Sequence, residues 1–326
     1  MNSRLPTPFR GLRRRLAERA AESDIWDAVQ LARDDGRPYT LDYVEHLVDE
    51  WVELHGDRQG TDDHAIVAGV GSFRGRTIAI VGHQKGRDLK ERAFRNFGMA
   101  RPEGYTKAIR VFALADRLGF PVITFVDTPG AHPGASAERR GQAGAIARTM
   151  LQMMRLRVPS VAVVIGEGGS GGALAIGVTD RVLMLEHAIY SVISPEACAA
   201  ILWRDAGQAR KAAAAFKPTA RYCRELGVVD GIVPEPSGGA HRDADRAARL
   251  LGDAIATELA VAEATPLMER RALRRAKFRQ MGVWLEPTPD DPSPSIEPLE
   301  DVLAAANPEP LPSPQPSTHI AAPSTP

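Results

Sequence analysis

Residues 161 to 177 read VAVVIGEGGSGGALAIG, an apolar, β-branched run that breaks into glycines and resumes with helix-forming residues. Glycine gives up more conformational freedom on folding than any other residue, so a cluster of this kind marks backbone that must approach something closely. The stretch predicts a strand, a tight loop and a helix N-terminus. Several motif patterns fit it at once. Gly166, Gly168 and Gly171 satisfy the dinucleotide pattern G-x-G-x-x-G, and Gly168, Ser170 and Gly172 satisfy the nucleophile-elbow pattern G-x-S-x-G. Gly168 and Gly172 also form G-x-x-x-G within residues 158 to 178, which carry one charge, Glu167. A mid-span glutamate beside closely spaced glycines makes a poor membrane helix.

Bulk properties narrow the classes. A chain of 326 residues with 44% hydrophobic content can bury a sizeable core. Forty-one basic side chains balance 41 acidic ones, so no global charge points to nucleic acid or an anionic membrane. Cys198 and Cys223 provide neither a disulfide framework nor a zinc site, and the cytoplasm is the expected compartment. The arginines between Arg4 and Arg19 are not followed by the apolar region of a secretory signal, and Glu18, Glu22 and Asp24 argue against a transit peptide.

Along the chain, residues 1 to 60 read as a mostly helical N-terminal arm, with Thr40 as N-cap and Leu41, Val44, Val48 and Trp51 at helical spacing. AIVAGVGSF and RTIAIVGHQ, joined by Arg74 and Gly75, predict a strand pair around a tight turn. This pair opens a core of residues 61 to 262, which from Arg101 onward reads as βα repeats whose loops, TPGAHPGA among them, fall at strand C-terminal ends, where open α/β folds collect ligands. Residues 263 to 284 form a basic helix containing RRALRRAKFR, read as solvated or facing a subunit, with an anion-binding surface as the sharper alternative. Residues 285 to 326 hold 12 prolines in 42 positions and predict a disordered tail.

Context then discriminates among the motif readings. A dinucleotide site would use Glu186 as its acidic residue, but only eight residues separate Gly171 from the next strand at Asp180, short for a crossover helix. A serine hydrolase would pair Ser170 with Asp230 and His241. DTPG at 127 to 130 looks like a GTPase switch, yet no G-x-x-x-x-G-K-[ST] occurs. The remaining chemistry is that of the backbone: N–H groups at a strand-to-helix glycine loop point into one concavity and can stabilise charge on a carbonyl oxygen. Glycines that merely permit tight helix-strand packing are the structural alternative.

RPYTLDYVEHLVDEWVELHGDR (37 to 58), GHQKGRD (82 to 88), RNFGMARPEGYTKAIR (95 to 110), DTPGAHPGA (127 to 135), IGEGGSGGALAIGV (165 to 178), YSVISPEACAAILW (190 to 203) and IVPEPSGGAHRD (232 to 243) occur in this order. Together they resemble the carboxyltransferase alpha subunits of multi-subunit bacterial and plastid acetyl-CoA carboxylase. The resemblance implies an α/β ClpP/crotonase-like spiral of repeated ββα units. It also implies transfer of a carboxyl group from carboxybiotin, presented by a biotin carboxyl carrier protein, to acetyl-CoA, forming malonyl-CoA in a site shared with a beta subunit. By motif, Gly171 and Gly172 become the biotin-facing N–H donors, Gly168 and Gly169 shape their loop, and Gly130 and Gly134 shape an adjacent wall.

The same resemblance implies an alpha-two beta-two assembly. The chain has no Met-Lys pair to carry biotin and no P-loop, so ATP is expected on a separate biotin carboxylase and zinc in the beta subunit. Arg139, Arg140, Gly141, Gln142, Ala143 and Gly144 depart from the family's usual Glu-Arg-Gly-Gln-Ser-Glu. His132 stands where tyrosine is common and Thr179 where glycine is. These departures leave open a non-catalytic paralogue or one with another substrate, such as propionyl-CoA.

Overall fold

A computed structural model describes residues 23–282. Helices α1 (23–32) and α2 (Thr40–Leu47) lead into strands β1 (Asp49–Glu53), β2 (Ile66–Phe73) and β3 (Arg76–His83), helices α3 (Leu89–Phe94) and α4 (Pro102–Leu118), and strand β4 (Val122–Thr128). There follow α5 (Ala135–Arg139), α6 (Gln142–Arg155), β5 (Ser160–Gly169), α7 (Ser170–Gly177), β6 (Arg181–Leu185), β7 (Ile189–Ser191) and α8 (Pro195–Trp203). The series closes with α9 (Ala209–Phe216), α10 (Ala220–Glu225), β8 (Gly231–Val233), α11 (Ala244–Ala264) and α12 (Leu267–Gln280). The arginine-rich start and the proline-rich tail of 285–326 lie outside the described residues.

Among the described residues, one sheet runs β1-β2-β3-β4-β5-β6-β8, with β7 paired to the far end of β5. The expected β2–β3 hairpin is present: Phe73 pairs with Arg76, and Arg74 and Gly75 both take positive φ, 50° and 76°. That is the backbone of a type I′ turn, whose twist matches its strands. From β3 onward the pairing along the sheet is parallel, and β4 is buried along its whole length, as strands covered on both faces must be. Helix α4 opens on Pro102 and ends on Gly119 at φ 79°, the usual start and stop signals.

Three expectations need correcting. Trp51 is not on a helix. Tyr39 is the N-cap of α2, Thr40 is the first helical residue and donates its hydroxyl to His83 O, and Trp51 lies in β1. The helical spacing is overridden by cross-strand packing: a Cβ on Gly69 would lie 2.6 Å from the Trp51 ring, and one on Gly71 2.4 Å from Val48. These two bare positions on β2 accept the side chains of Trp51 in β1 and of Val48 just before it. Second, the basic helix α12 is not simply solvated. Arg274 is 1% exposed, donates to the C-terminal carbonyls Met153 O and Leu156 O of α6, and meets the buried carboxylate of Asp180 at 2.6 Å. Arg270 reaches Ala262 O, Thr265 O and Arg157 O.

Third, β5 and β6 are parallel neighbours joined by the eight-residue α7, so a short crossover is sterically acceptable here. It succeeds because α7 is apolar all round and packs directly on β4 and β5. No helix among the described residues is long and apolar enough to cross a membrane, and 158–178 forms a strand and this short helix.

Candidate active site at two glycine loops

The C-terminal ends of β4 and β5 bring the loops 128–134 and 168–172 together, with Thr128 paired to Gly168. Thr128 Oγ1 donates to Gly130 O at 2.6 Å and accepts from Gly130 N at 3.1 Å, turning the first loop back on itself. Contact between the loops is backbone on backbone. A Cβ on Gly169 would lie 2.2 Å from Pro129 O, and one on Gly172 would lie 2.7 Å from Ala131 N and from the Gly130 carbonyl carbon. Both glycines are therefore required by packing alone. Gly168 is covered by the Tyr190 ring, and Gly134 donates its N–H to His132 Nδ1 at 3.0 Å beneath that imidazole.

Gly171 differs from its neighbours. A Cβ there would meet nothing nearer than Ile146 at 3.6 Å, and the residue faces a cleft of about 380 Å³ walled by Leu174, Tyr190, Val192, Phe216 and Phe278. Helix α7 begins here with Ser170 at φ 49° and with Gly169 as an N-cap that has no side chain to occupy the first-turn N–H groups. The first four N–H groups of a helix lack intrahelical acceptors and carry the positive end of its dipole. This helix start lies at the edge of the cleft, which Ser170 and Gly171 line.

Beneath the loops lies a charge network that the motif reading did not single out. Lys85 Nζ sits 2.7 Å from Asp127 Oδ1 and 2.9 Å from Glu167 Oε2, and Arg33 Nε lies 2.8 Å from Glu167 Oε1. Burial works against the charge of Lys85, but Asp127 and Glu167 hold its ammonium above the usual lysine range. Burial likewise pushes Glu167 up, and Lys85 and Arg33 more than offset it, holding the carboxylate below the usual range. Lys85, Asp127 and Glu167 each fall inside a quoted motif, GHQKGRD, DTPGAHPGA or IGEGGSGG, so the signal was present; Arg33 precedes all seven. Next to Lys85, His83 is fully buried with the Phe125 and Gly172 backbone beside its ring, and burial followed by the Lys85 charge lowers its pKa to about 3.

The other candidate residues separate. Asp230 precedes β8, at the opposite end of the parallel strands from Ser170, and is occupied by Val182 N and Lys277. His241 follows β8 and packs beside Gly36 and Gly239. No Ser170–His241–Asp230 triad is assembled. Glu186, the acid a dinucleotide site would need, accepts from Glu235 N. His132 is held below its usual pKa by burial and by Arg101, and its Nδ1 is engaged by Gly134, which makes it part of the loop wall. Within the stretch 139–144 the residues that keep the family pattern have structural partners: Arg140 pairs with Glu103, Gly141 takes φ 84° at the N-cap of α6, and Gln142 donates to Ala100 O; of the divergent positions, Thr179 donates to Arg181 O.

Residues 10–282 match the family described as acetyl co-enzyme A carboxylase carboxyltransferase-like. The chain is 57% identical over 265 residues to the acetyl-coenzyme A carboxylase carboxyl transferase subunit alpha of Thermus thermophilus, covering 80% of this chain and 83% of that one. It is 51% identical over 282 residues to the subunit of the same name from Xanthomonas oryzae pv. oryzae, covering 85% and 88%. Among solved structures, it resembles transcarboxylase 12S with hydrolysed methylmalonyl-coenzyme A bound, with a TM-score of 0.56 at 20% identity over 74% of this chain and 45% of that one. It also resembles the beta subunit of geranyl-CoA carboxylase from P. aeruginosa, with a TM-score of 0.54 at 20% identity over 72% and 44%. The chain thus spans less than half of each structural neighbour, and at that identity the likeness shows the fold, which is crotonase-like as expected. By the family match and the relatives' identity over four-fifths of its length, the chain belongs to the carboxyltransferase alpha-subunit family of acetyl-coenzyme A carboxylase.

Proposed function

We propose that this chain is the half of a carboxyltransferase that receives carboxybiotin and stabilises its ureido oxygen, while a beta subunit receives acetyl-CoA and stabilises the thioester oxygen. The observation that carries the reading is Gly171: it is the loop glycine whose bare Cα faces an open cleft, at an uncapped helix N-terminus. A biotin ring fits what surrounds it, since the walls are mostly apolar and the start of α7, at Ser170 and Gly171, is among them. When bound, carboxybiotin supplies the activated carboxyl group. This chain's residues bind and orient it. The N–H groups of Gly171 and Gly172 are the donors, Gly168 and Gly169 set the loop, and Gly130 and Gly134 shape an adjacent wall. Loss of one such donor raises a barrier by roughly 2.7 to 4 kcal/mol, so two account for a large part of the catalytic effect.

In this reading the biotin carboxyl carrier protein delivers the cofactor, a biotin carboxylase spends the ATP, zinc belongs to the beta subunit, and the complex works in the cytoplasm as an alpha-two beta-two unit. The decisive assay is malonyl-CoA decarboxylation with free biotin, run on the chain alone and on the chain mixed with the beta subunit of its own organism. Activity in the mixture only is expected, with Ser170→Ala retaining turnover. Turnover by the chain alone that vanishes in Ser170→Ala would instead establish a serine hydrolase. A stable but inactive mixture would point to a scaffold, and a preference for methylmalonyl-CoA over malonyl-CoA to a propionyl-CoA enzyme.

A further inference from the structure

Two cations converge on Glu167 from different elements. Lys85, just past β3, contacts both Asp127 Oδ1 and Glu167 Oε2, at 2.7 and 2.9 Å. Arg33, just past α1, contacts Glu167 Oε1 at 2.8 Å and, through Nη1, Glu196 Oε1 in the first turn of α8 at 2.7 Å. The two clamped carboxylates belong to the two glycine loops, since Asp127 adjoins Thr128 and Glu167 adjoins Gly168. The Asp127 oxygen held by Lys85 also accepts the N–H of Glu167 at 2.9 Å, and a Cβ on Gly166 would lie 2.5 Å from that oxygen. One lysine therefore ties the loops together through side chains just where their backbones come into contact.

We propose that Lys85 and Arg33 are positioning residues for carboxyl transfer, holding the two glycine loops at the separation and tilt at which the Gly171 and Gly172 N–H groups meet the ligand. This rests on the reading of those loops as an oxyanion hole. Without Lys85, two carboxylates 2.7 and 2.9 Å from the same point would face each other, and their repulsion acts on the residue next to Gly168. The lysine also cancels negative charge below a site that must accept more of it. Arg33 carries the restraint outward to α8, so a residue of the N-terminal arm serves the site.

The test uses the chain assembled with its beta partner, comparing Lys85→Met, Lys85→Arg, Lys85→Met/Glu167→Gln and Arg33→Gln with wild type. Malonyl-CoA decarboxylation with free biotin yields kcat and the malonyl-CoA KM, while gel filtration and thermal melting report assembly and stability. Misplacement of a reacting group by about 1 Å costs about 100-fold, so Lys85→Met should lower kcat by that order and leave the malonyl-CoA KM within about twofold. Lys85→Arg and the double variant should each recover roughly 10-fold of the loss, because the first restores a cation between Asp127 and Glu167 and the second removes the repulsion between them. Arg33→Gln, at a partly exposed position where folding should survive, is expected to lose roughly 10-fold in kcat and decides the matter should Lys85→Met fail to assemble. Assembled variants with wild-type kcat, whatever their melting temperature, would overturn the proposal. An inactive wild-type complex would instead refute the functional reading itself.

Discussion

At the scale of single residues, the four glycines of the second loop look alike in sequence and differ in what surrounds them. Gly169 and Gly172 press against the backbone of 129–131, whereas Gly171 has room for a methyl group. The substitutions Gly169→Ala and Gly171→Ala should therefore separate packing from ligand approach. Gly169→Ala must displace the Pro129 carbonyl and is expected to cost about 1 to 3 kcal/mol, read as a lower urea midpoint. Gly171→Ala should leave stability equal or raise it by about 0.4 to 1 kcal/mol, through the restricted unfolded chain. Its methyl group enters the cleft, so turnover in the assembled complex should fall roughly 10- to 100-fold. Unchanged turnover in a stable Gly171→Ala protein would exclude a ligand from that surface. The motif pattern could not rank these glycines, because nothing local distinguishes a glycine facing backbone from one facing a cleft.

At the scale of elements, periodicity and turn chemistry located the β2–β3 hairpin and the run of βα repeats after it, whose signals are local. Trp51 and α12 were misread for a shared reason. The decisive partner of each is distant in sequence: Gly69 of β2 for Trp51, and Asp180 with the α6 carbonyls for Arg270 and Arg274. A charge run rich in arginine reads as solvated until a buried carboxylate is placed beneath it. Arg274→Met should accordingly cost about 3 kcal/mol, since it takes from buried Asp180 its nearest cation and leaves it Arg270 at 3.7 Å, and Arg274→Met/Asp180→Asn should recover part of that loss. Urea unfolding of both variants checks this, and equal midpoints for Arg274→Met and wild type would show that α12 contributes little to the fold.

At the scale of the whole molecule, buried titratable groups set the response to acid. Glu235 accepts a bidentate Arg37 and the N–H groups of His187 and Ala240; burial opposes its charge, but these partners hold it well below the ordinary value of 4.5. A carboxylate lowered on folding contributes stability that is complete above its unfolded pKa and disappears as pH falls through its folded one. His83 acts earlier. It is neutral in the fold, with a pKa lowered from 6.5 to about 3, so below pH 6.5 the unfolded chain binds a proton that the folded chain refuses. His187, raised by Glu235, opposes this but is partly exposed. The urea midpoint should begin to drop near pH 6.5 and fall more steeply below 4.5. His83→Leu should flatten the first part and leave the second. An unaltered slope between these values in that variant would remove His83 from the account.

The sequence by itself determined the β2–β3 hairpin, the succession of βα repeats after it, the position of both glycine loops at strand ends, and the family, because turn residues, hydrophobic periods and ordered motifs are written in adjacent positions. Only the tertiary structure decided which glycine is open, that Lys85 and Arg33 meet at Glu167, and that Ser170 has no triad. Those facts depend on residues 82 and 134 positions apart being folded to within 3 Å. Contact at such separations is set by the register of a whole sheet, which no local pattern specifies.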